Sequence, residues 1–342
     1  MALTRGGREY LTFRKVMNFL KCEAERFGRR PWPRAKPYTA ILDPTNICRL
    51  RCSYCPTGRR RPGARPPGFM GMDLVRGLLD DLGPYLISAN LFNWGEPLLH
   101  PRIADIAAEF HKAGVFTQIS TNLNIDDEAL LEDLCKSGLD YLMISLSGAT
   151  QEVYREYHQG GDLALVEANT RRLQGIKRRL GLKKPVLEWK FLVFKHNRHQ
   201  IRQAGARAAE LGVDVFRYRP GGGERESLVR LANVPLMKGA WPCRHLWGTV
   251  LMNPDGSVAP CCYLFFPEDD FGVFPDDSLE EIRQNRRSLE ARLLFSRKGS
   301  RHLDPRLSHP CLKCELVHRQ SGLRDYLRAN PWAEQRHRTG GA

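Results

Sequence analysis

From Tyr38 onward the chain alternates strand-like and helix-like segments six times, and this rhythm restricts the fold more than any composition figure. Strands read at 38–43, 86–93, 116–121, 141–147, 186–193 and 214–219. Helices read at 72–82, 102–113, 126–137, 163–180 and 200–211, with a shorter turn of helix near 150–157. Asp126 is placed to cap its helix, and Gly83, Gly114, Gly138 and Gly212 follow helical runs. Strands separated by helices of this length imply parallel βαβ units, since a parallel neighbour needs a long crossover. Six such units make an open partial barrel or a doubly wound sheet. In both, ligands gather beyond the carboxyl ends of the strands. The first strand ends at Asp43, so the loop after it stands at that end.

That loop carries Cys48, Cys52 and Cys55, a C-x3-C-x2-C spacing. Thiolates are soft ligands that suit iron–sulfur clusters and zinc. A four-iron cube takes four cysteines, and this run offers three, so one iron is left for a ligand that is not protein. A zinc knuckle short of one ligand, or buried structural thiols, are the competing readings. A second constellation holds Cys243, Gly256, Cys261 and the pair Cys311 and Cys314. A turn at Asn253-Pro254-Asp255-Gly256 would bring Cys243 and Cys261 together. Structural zinc on the same four thiols is chemically acceptable. Cys22 and Cys135 sit on helical patterns and read as small apolar residues. Cys262 adjoins a ligand and has three candidate roles: buried support, substitute for Cys261, or hydrogen-atom donor.

The first cysteine run, placed directly after a strand, resembles the radical S-adenosylmethionine (radical SAM) superfamily. The second constellation resembles its SPASM/twitch group, in the twitch version, because no cysteine follows Cys314. The resemblance covers roughly residues 38–320. It implies a fold: α/β, an open partial (β/α)6 TIM-like barrel with a small C-terminal cysteine-rich SPASM/twitch domain. It also implies a [4Fe-4S] cluster on Cys48, Cys52 and Cys55 with S-adenosyl-L-methionine at the open iron. One auxiliary [4Fe-4S] cluster on Cys243, Cys261, Cys311 and Cys314 is implied with it. Gly95-Glu96-Pro97 stands where relatives hold the methionine amino group, with Trp94 replacing a glycine. Tyr54 stands where an aromatic residue lies against adenine or shields the cluster. Ser120, Asn122 and Ser145, at strand ends, are candidates for the ribose and carboxylate of SAM. His158 stands near the place of an arginine that approaches the SAM carboxylate in many relatives.

Strand five carries Glu188 and Lys190 on one face, and strand six carries Arg217 and Arg219 on one face. Charges on central strands are costly unless they meet a polar lumen. Glu188, Lys190 and Arg217 are therefore the candidate catalytic, substrate-facing residues, with a charge network that only stabilises the barrel as the alternative. The formal net charge of +15 favours anionic partners. No run of about 18 apolar residues is present, so no transmembrane segment is expected. The amino terminus lacks an apolar signal core, and cysteines at metal-ligand spacings fit a reducing cytoplasm.

Four regions are expected. Residues 1–37 form a basic amphipathic helix and a Pro-rich linker. Residues 38–220 form the barrel, 221–330 the auxiliary-cluster domain, and 331–342 a disordered tail. In the helix, Tyr10, Phe13, Met17 and Leu20 recur at helical spacing and are expected to pack against the barrel, with membrane-surface docking as the alternative. The expected function is an oxidoreductase. SAM is reductively cleaved to a 5′-deoxyadenosyl radical, and hydrogen is taken from a carbohydrate-like or phosphorylated small molecule, an anionic one. Flavodoxin or ferredoxin would donate the electron. The alternatives are an epimerase using Cys262 as hydrogen donor and a peptide-modifying enzyme. The second is disfavoured because the 47 residues before Cys48 read as helical and Pro-rich rather than as a fused peptide-recognition domain. A metal-containing nucleic-acid-binding scaffold is the non-enzyme alternative, and nucleic acid is not the expected partner.

Overall fold

The computed structural model describes residues 7–221, 241–296, 303 and 309–314. The expected tail from 331, and Gly222 and Gly223 of the expected hinge, lie outside the described residues.

Six parallel strands run in sequence order: β1 (Thr39–Leu42), β2 (Ser88–Leu91), β3 (Phe116–Thr121), β4 (Tyr141–Leu146), β5 (Val186–Val193) and β6 (Val215–Pro220). Helices α2 (Met72–Leu82), α3 (Ile103–Lys112), α4 (Glu128–Lys136), α5 (Gln151–Tyr157), α6 (Leu163–Arg179) and α7 (Ile201–Glu210) connect them. Each strand sends alternate residues outward. Ile119, Leu142, Ile144, Leu146, Leu187, Trp189 and Phe191 join the helices in one large apolar core. The opposite faces of β3 and β4 place Phe116, Tyr141 and Met143 in a separate cluster with Tyr10, Phe92 and Val186. This inner cluster closes the barrel floor. The helix before β4 is capped by Asp127, whose carboxylate accepts from Leu130 N, one residue later than expected from the sequence.

The C-terminal segment extends the barrel's sheet. Its strand β7 (Thr249–Met252) pairs in parallel with β1, and β8 (Ser257–Ala259) and β9 (Gly272–Val273) continue antiparallel from it. One nine-stranded sheet results, with β6 at one edge and β9 at the other. Gly256 makes the β7–β8 turn at φ +82°, and a Cβ there would lie 2.2 Å from the Phe274 carbonyl oxygen, so this turn requires glycine.

The amino-terminal helix α1 (Phe13–Phe27) forms as expected but is turned over. It buries Lys15, Cys22, Glu25 and Arg26, and exposes Phe13, Met17 and Leu20 by 82, 48 and 53%. The polar face is buried because the chain around it supplies partners. Lys15 Nζ donates to the Gly114 carbonyl, and Arg26 donates to the Pro242 carbonyl. Both oxygens of Glu25 accept from Arg34 N, and one also accepts from Ala35 N. Hydrogen bonds to charged groups outweigh the burial of a few apolar side chains there. Tyr10 alone of the expected apolar set reaches the barrel, where its hydroxyl donates to Asp140 at 2.7 Å.

Candidate iron–sulfur and S-adenosylmethionine site

The loop after β1 carries Cys48, Cys52 and Cys55 and is tied at several points. Its Ile47 carbonyl accepts from Glu96 N at 2.8 Å, its Arg51 N donates to the Gln159 carbonyl at 2.9 Å, and Ser53 N donates to the Tyr157 carbonyl at 3.3 Å. Asn122 Nδ2 lies 3.7 Å from Cys48 Sγ. Burial, then the Glu96 carboxylate, pushes the Cys48 thiol up to about 12. Burial, then Cys55 and Cys48, pushes Cys52 up as well. Thiols that disfavour one another's ionisation at close range are stable as thiolates when positive charge sits among them, which a metal cluster provides. The donor set therefore fits a cluster held by three thiolates.

Gly95 is required by packing. A Cβ there would sit 1.7 Å from the Thr45 carbonyl oxygen, so the β2 and cysteine loops touch only because the side chain is absent. The Glu96 carboxylate is buried and accepts from Thr121 Oγ1 at 2.6 Å, Asn122 N at 2.8 Å and Leu98 N at 3.1 Å. Burial raises its pKa against these three donors. Trp94, in place of the expected glycine, crosses to the C-terminal segment. Its Nε1 donates to the Leu264 carbonyl at 3.3 Å, and its ring meets Phe265 edge-on at 5.5 Å.

The structure brings Ser120, Ser145 and Lys190 together: Lys190 Nζ donates to Ser120 Oγ at 3.0 Å, and the two hydroxyls lie 3.3 Å apart. Glu188 accepts from the Tyr141 hydroxyl at 2.6 Å and pairs with Arg217 at 3.3 Å. Ser120, Ser145 and Lys190 on β3, β4 and β5, and Tyr141, Glu188 and Arg217 on β4, β5 and β6, are thus paired polar groups. Tyr54 is half exposed, with Phe194 and Tyr157 rings 5.9 and 6.2 Å away. His158 departs from expectation. It is 3% exposed, bonded through Nδ1 to Ser147 Oγ at 2.6 Å, and stacked on Tyr154 at 4.8 Å. Burial depresses its pKa to about 3, so it sits neutral and enclosed rather than presenting a cation to a carboxylate.

In the second constellation Cys311 and Cys314 flank a short turn, with Cys314 N donating to the Cys311 carbonyl at 3.1 Å. Burial, then Cys314, pushes Cys243 up to about 12, and Cys311 rises through burial, then Cys243 and Cys314. Cys261 lies close enough to Cys243 to feel its charge. Cys311 is buried and Cys243, Cys261 and Cys314 are partly buried, and the four thiols fit a second cluster on the same argument. All ten cysteines are free.

Sequence reasoning missed two groups. Asp43, fully enclosed at the end of β1, accepts from Trp94 N at 3.2 Å and Gly95 N at 3.3 Å, and burial lifts its pKa to about 7. Arg65 pairs with Asp270 at 2.6 Å, bolting the cysteine loop to the C-terminal segment. Both border or adjoin a cavity of about 360 Å³ beside Cys48, lined also by Arg60, Arg61, Trp94 and Phe265. The strand-terminal position of Asp43 was the one available signal for it; the Arg65–Asp270 pair spans 205 residues and left none.

Residues 42–182 match the profile of the radical SAM superfamily, and 243–315 match SPASM, an iron–sulfur cluster-binding domain. A tungsten-containing aldehyde ferredoxin oxidoreductase cofactor-modifying protein of Pyrococcus furiosus is 30% identical over 51% of this chain and 49% of its own length. The chain thus spans about half of that relative, and 36% of the Fe-coproporphyrin III synthase of Methanosarcina barkeri. PqqA peptide cyclase of Ruegeria pomeroyi is 23% identical over 82% of this chain and 80% of its own. Among solved structures, Streptococcus suis SuiB bound to its precursor peptide SuiA superposes with a TM-score of 0.60 at 15% identity, covering 88% of this chain and 74% of that one. The chain belongs to the radical SAM superfamily and carries a C-terminal SPASM iron–sulfur domain.

Proposed function

We propose that this radical SAM enzyme modifies a peptide. The carrying observation is the extent of likeness to the PqqA peptide cyclase of R. pomeroyi, which runs through barrel and SPASM domain over four-fifths of both chains. The relatives' names give no support to the carbohydrate-like substrate expected from the sequence, or to simple dehydrogenation as the outcome. The sheet offers a place for an extended chain: among the described residues β6 is an edge strand, and its Tyr218, Arg219 and Pro220 are exposed. An extended peptide can add to such an edge through main-chain hydrogen bonds.

When bound, SAM on a cluster with an open iron supplies reductive cleavage to a 5′-deoxyadenosyl radical and hydrogen abstraction from carbon. The chain's own residues have separate tasks in this reading. Cys48, Cys52 and Cys55 would hold the catalytic cluster, and Cys243, Cys311, Cys314 and a thiol at 261–262 would hold the auxiliary one. Gly95, Glu96, Asn122, Ser120 and Ser145 would hold SAM. Tyr54 would cover the adenine side. Lys190, Glu188 and Arg217 would hold the substrate over the lumen.

The test is anaerobic reconstitution and then reduction with dithionite in the presence of SAM. A pool of synthetic peptides should raise 5′-deoxyadenosine release above the peptide-free rate and yield a peptide of altered mass. Release unaffected by any pool, but stimulated by a porphyrin such as coproporphyrin, would overturn the peptide assignment and leave the radical SAM chemistry standing.

A further inference from the structure

We infer that one corner of the auxiliary cluster is served by either of two thiolates, Cys261 or Cys262. This inference concerns the SPASM domain and does not depend on the substrate being a peptide. If the stretch were extended, neighbouring side chains would point to opposite sides, and Cys262 would face away from the site. The structure shows otherwise. After Pro260 the chain turns, with Leu264 N donating to the Cys261 carbonyl at 3.2 Å. The turn swings both sulfurs to the same side. One ligand atom each of His245, Cys261 and Cys262 lies within 4.8 Å of the others.

That distance decides the matter. Metal–thiolate bonds run about 2.3 Å, so two sulfurs on one tetrahedral metal sit ~3.8 Å apart. Sulfurs within 4.8 Å of each other can each reach the same iron with an adjustment of no more than about one ångström. The surroundings agree. Cys262 packs against Ile41, Leu251 and Ala259 on the inner side of the sheet. His245 follows Cys243 by two residues, and its Nδ1 is buried without a hydrogen-bond partner. A ring N–H from His245 would stabilise whichever thiolate is off the iron.

The experiment uses the full chain with Cys48, Cys52 and Cys55 changed to Ala, so that only the auxiliary cluster remains, about four irons. Cys261→Ala, Cys262→Ala and the double change are made on it and reconstituted anaerobically. Iron per chain and the electron paramagnetic resonance spectrum of the reduced protein are recorded. Each single variant should keep about four irons under a full set of four thiolates, with spectra that differ from one another, and the double, with three thiolates left, should show a third spectrum distinct from both. Cys261→Ala losing its iron, with Cys262→Ala identical to its parent, would make Cys261 the fixed ligand and overturn the inference. A double variant whose spectrum matches that of either single would overturn it too. If circular dichroism shows the double variant unfolded, the two singles decide alone. A parent without iron would instead contradict the cluster assignment of the domain.

Discussion

At the scale of single residues, Glu96 carries two loads. It closes a buried hydrogen-bond set with Thr121, Asn122 and Leu98, and in the proposed site it would take the SAM amino group. Glu96→Gln keeps the volume and one acceptor oxygen. It should fold, retain both clusters and bind SAM more weakly, as read by equilibrium binding. Unchanged affinity with intact clusters would remove Glu96 from the SAM site. Glu96→Ala strands buried donors as well and should cost about 1–3 kcal/mol in a denaturant titration. His158 sets a pH signature. Its folded pKa of about 3 lies below the unfolded value, so the unfolded chain takes up the proton first as pH falls. Stability should drop by up to ~1.4 kcal/mol per unit below pH about 6, until the folded pKa is reached. His158→Gln should flatten that slope, and an unchanged slope would mean that other groups carry it.

Among elements, α1 shows how a helical pattern can be read correctly and oriented wrongly. The apolar stripe of Phe13, Met17 and Leu20 is exposed, and the buried face is polar. Changing all three to Ser should move the melting temperature of the isolated chain little, since little area is lost from the core. Glu25→Ala should cost about 1–3 kcal/mol, because the Arg34 and Ala35 N–H groups lose their acceptor. The reverse ranking in thermal melts would mean that the stripe is the packed face after all. Strands β1 to β6 were legible to within two residues, because alternating apolar residues and glycine stops report local geometry. The pairing of β7 with β1 was not legible. A short hairpin strand carries no mark of which edge it will extend.

Across the whole molecule, two thiol sets predict metal content. Reconstitution should give about eight irons per chain, and changing Cys48, Cys52 and Cys55 to Ala should leave about four. Zinc in place of iron in both sets would refute the cluster assignment. Lys190→Ala removes the donor to Ser120 and should impair turnover of substrate more than uncoupled SAM cleavage. Equal loss of both, with a lowered melting temperature, would mark the network as structural.

The sequence by itself determined the family, the barrel and both cysteine sets, because ligand spacing and strand–helix rhythm are local properties. It also placed Glu188 with Lys190, and Arg217 with Arg219, on one face of their strands, since period-two alternation is written in the chain. Tertiary structure decided the rest. It enclosed His158 against Ser147 and Tyr154, and set Trp94 across to Leu264. It joined Arg65 to Asp270, and turned the two sulfurs of Cys261 and Cys262 to one side. Each of these depends on where a second segment lies or on which way a short turn bends. Side-chain identity along the chain carries no record of either.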